Sequence, residues 1–80
     1  MTEAREPHQV ALGRAIRQLR EEAELTREQL AERTEIPGEE LRLIEDGTVE
    51  ANWGTLRQLA YGMKVELPDL FRLGEELERG

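Results

Sequence analysis

An all-α fold, a compact bundle of about five short helices, is predicted by three features of this 80-residue chain. Apolar residues recur at three- and four-residue spacing, and no stretch alternates apolar with polar as a half-buried strand would. Only three aromatics are present (Trp53, Tyr61, Phe71), and β-branched residues form no long runs. Capping residues and glycines fall where such helices would start and stop.

The first helix is expected from about Pro7 to Ala23. Pro7 suits an opening turn, where its missing N–H costs nothing, and Leu12, Ile16, Leu19 and Ala23 share one face. A break follows at Glu24-Leu25. Thr26 with Gln29 three residues on reads as a capping box, so a second helix covers about Arg27 to Arg33 with Leu30 and Ala31 inward. Residues 35–38, Glu-Ile-Pro-Gly, form a turn. The third helix spans about Pro37 to Asp46 and stops at Gly47, which can take the left-handed conformation. Leu41 and Ile44 point inward, and Glu39, Arg42, Leu43 and Asp46 lie opposite. Asn52 caps a fourth helix, about Trp53 to Lys64, with the stripe Trp53, Leu56, Leu59, Ala60 and Met63. A fifth begins near Glu66 or Leu67. It tolerates Pro68 in its first turn and buries Leu67, Leu70, Phe71 and Leu77, with Leu73 at the edge. Residues 1–80 are expected to be one domain with its core in about 8–73, and 74–80 fray or serve a dimer.

Composition narrows the function. A chain this short buries only about 60–65% of its unfolded surface, enough for one core and not for a deep two-walled substrate cavity. The absence of cysteine excludes disulfides, thiolate metal sites and cysteine nucleophiles. A single histidine, His8, cannot build a multi-histidine metal site. The adjacent pairs Glu21-Glu22, Glu39-Glu40 and Glu75-Glu76 do not face each other on a helix, so general acid–base chemistry has no constellation to use. No catalytic residue, metal or cofactor is expected, and an enzyme is not. No run is long enough to span a membrane, and Met1-Thr2-Glu3-Ala4-Arg5-Glu6 lacks the basic-then-apolar order of a secretory signal. A soluble cytoplasmic protein is the expectation.

Two short helices joined by a tight turn inside a small all-helical domain make a helix-turn-helix. The residues carry a more specific likeness. Residues 12–17 (Leu-Gly-Arg-Ala-Ile-Arg), Leu19-Arg20 and residues 25–34 (Leu-Thr-Arg-Glu-Gln-Leu-Ala-Glu-Arg-Thr) come first. Leu41, Ile44-Glu45 and Gly47, then Thr55-Leu56, Leu59-Ala60 and Val65, follow in order. Together, over about Leu12 to Phe71, they resemble the lambda-repressor-like, Cro/C1-type (XRE) helix-turn-helix family. The resemblance implies a five-helix bundle whose third helix enters the major groove of double-stranded DNA. It also implies a homodimer on a two-fold operator and a role in transcription regulation, in a bacterial or phage nucleoid setting.

The resemblance also assigns positions. Thr26, Arg27 and Gln29 at the start of the second helix would meet the DNA backbone through side chains and first-turn amides. Gly38, Glu39, Arg42 and Leu43 occupy the base-reading face. There Glu39 can accept from cytosine N4, Leu43 can touch a thymine methyl, and Arg42 can take guanine or a phosphate. On a second reading, Glu39 and Glu40 only favour the helix dipole. Arg20 is expected to pair with Glu45, tying the first helix to the third, and Leu73 and Leu77 are candidates for a dimer contact. The charge is unusual for this role. The chain carries −7 overall, and residues 27–47 hold three Arg against six Glu and one Asp, a net of −4. The loop Thr48–Ala51 brings Glu50 where relatives often have bases. These features keep a rival open: an acidic helix-turn-helix interaction module that binds a basic protein partner in place of DNA.

Overall fold

The computed structural model describes residues 7–80. In chain order it contains α1 (Pro7–Glu22), α2 (Arg27–Thr34), α3 (Gly38–Glu45), α4 (Trp53–Met63) and α5 (Leu67–Arg79), and no strand among the described residues. The N-terminal hexapeptide considered for a secretory signal lies outside them. Each helix contributes one large, fully buried side chain to a common core: Ile16, Leu30, Leu41, Leu59 and Leu70. Burial of each stabilises by roughly 1.5–3 kcal/mol, and none of these short helices would persist alone in water. The widest interface runs between α1 and α5; α2 packs on α4 and α3, and α1 also meets α3. No helix among the described residues is long and apolar enough to cross a membrane.

Local chemistry sets the helix ends. The Thr26 hydroxyl accepts from the Gln29 amide at 3.0 Å, and the Gln29 carboxamide oxygen accepts from the Thr26 amide at 2.8 Å, a complete capping box. Asn52 Oδ1 accepts from the Thr55 amide at 2.8 Å. At the end of α3, Gly47 takes φ +76°. Its amide donates to Ile44 O, and Thr48 donates to Leu43 O, which is a Schellman closure. The same two-bond pattern closes α1 at Glu24 and α4 at Lys64, with positive φ on residues that carry a Cβ.

Several expectations need correction. The buried face of α1 is Ala11, Gly13, Ala15, Ile16 and Arg20; Leu12 and Leu19 are half-buried flanks, and Ala23 is exposed beyond the helix end. The reason is that α1 meets α3 as well as α5. A Cβ at Gly13 would overlap the Ile44 and Glu45 carbonyl groups, so small residues let the two backbones touch. Trp53 and Phe71, expected inward, are 61% and 36% exposed. As the first residue of α4, Trp53 projects back past the helix start, and its ring stacks on Phe71 with centroids 6.1 Å apart. Pro37 precedes α3 as its N-cap residue and lies outside the helix. The C-terminal residues extend the core beyond 73: α5 continues to Arg79, Gly74 is buried, and Leu77 packs half-buried on the core.

Candidate nucleic-acid interface

The turn between α2 and α3 is fixed by a few bonds. Glu35 adopts φ +61° and its amide donates to Ala31 O at 2.8 Å. The Thr34 hydroxyl donates to Leu30 O at 2.8 Å and accepts from the Ile36 amide at 3.3 Å. Ile36 is buried, so the turn is anchored from below while the chain reverses. Pro37, with φ −56° and ψ 141°, then launches α3 from an extended residue.

One carboxylate braces this unit. Glu45, with a side chain 1% exposed, accepts from Arg20 Nε at 2.7 Å and Nη2 at 3.2 Å, and from Arg27 Nε at 3.3 Å. Arg20 also donates to Leu25 O at 2.8 Å. Glu45 thereby joins α1, α2 and α3 at one point. The hydrogen bond to Glu45 raises the Arg20 pKa, against the opposing effect of burial, so its charge is secure. No buried side-chain polar atom among the described residues lacks a partner.

The outer face of α3 is polar and open. Gly38, Glu39, Glu40 and Arg42 are exposed, and Leu43 is half-buried. A Cβ at Gly38 would meet nothing within 4 Å, so the fold itself does not need glycine there. Arg42 donates to Glu39 through Nη2 at 2.5 Å and Nε at 3.2 Å, and to Asp46 through Nη1 at 3.2 Å. That hydrogen bonding, with the cation's charge, lowers the Glu39 pKa below its ordinary value of 4.5; the more distant Arg27 charge acts in the same direction.

Of the α2 residues, Arg27 reaches α3 through Glu45, and Thr26 and Gln29 close the cap of the same first turn. Thr26 and Gln29 are occupied with each other through their oxygens, and the hydroxyl and amide hydrogens remain as donors. Leu73 and Leu77 lie elsewhere, on α5, half-buried against the core. Sequence reasoning missed the Arg27–Glu45 and Arg42–Asp46 bonds, although spacing alone offered the second, at i, i+4. It also missed the hydrogen bond from Gln9 Nε2 to Gly47 O at 2.9 Å, which carries no local signal.

Comparison with known proteins agrees with this geometry. The profile of the helix-turn-helix domain family matches residues 11–78. No curated protein sequence matches the chain. Among solved structures, the clp gene regulator ClgR from Corynebacterium glutamicum superimposes with TM-score 0.83 at 23% identity, covering 86% of this chain and 90% of that one. A second ClgR structure gives 0.87 at 22% identity, covering 90% and 77%. The restriction-modification controller protein C.AhdI from Aeromonas hydrophila gives 0.74 at 24% identity, covering 76% and 92%. At these identities the likeness is one of fold.

Proposed function

Because this chain belongs to the helix-turn-helix domain family, we propose that it is a sequence-specific DNA-binding transcription regulator with α3 as its recognition helix. The observation that carries the reading is the build of α3. Its inner side is locked by Leu41, Ile44 and the Glu45 brace, while Gly38, Glu39, Arg42 and Leu43 are left facing outward. A rigid helix with one free polar face suits insertion into a major groove about 12 Å wide. The bare Gly38 lets the backbone approach DNA closely. The relatives ClgR and C.AhdI, a gene regulator and a controller protein, support the same reading.

Thr26, Arg27 and Gln29 contact phosphates beside the groove. The first-turn amides of α2 point the same way, where an anion also favours the helix dipole. Arg27 keeps its Nη groups for this after giving Nε to Glu45. A homodimer completes the proposal, since paired half-sites match two-fold protein symmetry. Leu73 and Leu77 serve the core of their own chain, so they can offer a second copy only their exposed edges. The stacked Trp53 and Phe71 rings add apolar surface on the α4 and α5 side.

Fluorescence anisotropy with labelled duplex DNA at low and moderate salt tests the function. A selected duplex binding well above a scrambled one at both salt levels supports it; equal binding to the two at every salt level refutes it.

A further inference from the structure

Arg42 is the only basic residue of α3, and carboxylates hold it from both sides. Glu39, one turn earlier, takes Nε and Nη2, and Asp46, one turn later, takes Nη1. All three side chains are substantially exposed; single exposed pairs contribute little, but a two-bond Arg–carboxylate contact extended by a second carboxylate is a network that holds the guanidinium in place. Their effect is on geometry. A guanidinium has five N–H donors in a rigid fork. Three are committed here: Nε–H, one hydrogen of Nη2 and one of Nη1. One hydrogen on each terminal nitrogen remains; with Asp46 on the Nη1 hydrogen of the Cδ side, the two are the parallel end-on pair that guanine O6 and N7 accept.

We propose that Glu39 and Asp46 are positioning residues that preset Arg42 to read guanine, with Glu39 acting through Arg42 and not on a base of its own. The proposal rests on the DNA-binding reading above and assigns its specificity. Two alternatives are disfavoured by charge. Arg42 is a poor phosphate ligand because the two carboxylates that flank it would be brought against the phosphate with it. Glu39 is a poor cytosine reader because both its oxygens already face Arg42, so turning the carboxylate toward a base pulls it out of alignment with the guanidinium fork. The uncharged acceptor edge of guanine incurs neither cost. Holding the long Arg42 side chain in one arrangement before contact also reduces the entropy lost on binding.

The test is selection of the full chain and its variants against a randomised duplex pool at low salt, with circular dichroism to verify folding. Wild type should require guanine at one defined position. Arg42→Ala should lose discrimination there by about 5- to 160-fold. Glu39→Gln should keep the same consensus but weaken that guanine preference by about 3- to 10-fold through lost pre-organisation, while non-specific binding rises as repulsion falls. Asp46→Asn should act at the same position in the same direction. If wild type selects a site but Glu39→Gln alters a different base pair and leaves the guanine of Arg42 untouched, the positioning role is wrong and DNA binding stands. A Glu39→Gln variant that changes all positions equally would overturn the positioning role in the same way. If wild type selects no sequence, both the positioning role and the DNA reading fall.

Discussion

At the scale of single residues, Glu45 is the most consequential side chain outside the core. Its carboxylate is almost wholly buried and depends on Arg20 for two of its three hydrogen bonds. Arg20→Ala should therefore destabilise the fold by about 2–4 kcal/mol, since a buried charge loses its main partner while Arg27 remains. A urea or thermal melt measures this, and an unchanged midpoint would contradict it. The exposed Glu39–Arg42 pair makes a different statement. The folded-state pKa of Glu39 lies below its ordinary value, so the pair's small contribution is present above about pH 4.5 and is lost as pH falls through the lowered pKa. A carboxyl NMR titration should place Glu39 below the ordinary range, and Arg42→Gln should return it there. Of these residues, Arg20 and Glu45 were legible in the sequence, because one flanks an apolar stripe, the other lies on the inner half of its helix, and the family resemblance pairs the two positions. Arg27 was not legible as a second partner of Glu45, because its reach across from α2 depends on the angle between the helices, which periodicity does not encode.

At the scale of the elements, the helix ends and close approaches set the stability of the frame. Glu24 and Lys64 hold left-handed backbone where glycine is the usual occupant. A Cβ there costs roughly 1–2 kcal/mol, and the extra unfolded-state freedom of glycine offsets about 0.4–1 kcal/mol. Glu24→Gly and Lys64→Gly should each stabilise by about 0.5–1 kcal/mol in chemical denaturation; a loss of stability in either would show that the side chain has a contact role. Gly13→Ala should do the reverse. The helix propensity gain of about 1 kcal/mol is outweighed by overlap with the carbonyl groups of α3. A backbone shift of that kind costs about 1–3 kcal/mol, and the overlap with backbone oxygen puts Gly13→Ala toward the upper end of the range. A thermal melt that rises for Gly13→Ala would contradict the close approach. The capping signals at Thr26, Asn52 and Gly47 made these boundaries readable, since each acts through its immediate neighbours. The true inner face of α1 was not readable from Leu12, Ile16 and Leu19, because two packing partners widened it toward alanine and glycine. The outward turn of Trp53 was also hidden: apolar spacing places it on the stripe, but the core ends one turn short of it.

At the scale of the whole molecule, an acidic protein reading an acidic polymer should show an unusual salt response. Under the proposed function, Arg27 is the one phosphate-contacting cation per chain. The slope of log K against log salt for a dimer should therefore be shallow, no steeper than about −4. A slope near −8 would mean that a basic surface other than α2 and α3 carries the affinity. Assembly is tested separately by sedimentation at tens of micromolar, a rough working range for weak dimers. A dimer that dissociates on Phe71→Glu agrees with contact through the α4 and α5 side, and a clean monomer with and without DNA rules the dimer out. The most direct test of the central claim is amide chemical-shift mapping of the labelled protein titrated with its selected duplex. Shifts concentrated at residues 26–29 and along the outer face of 38–43, with the core and the α5 side quiet beyond any dimer contact, are the predicted result. Shifts that spare 38–43 while the duplex binds elsewhere would contradict α3 as the recognition helix.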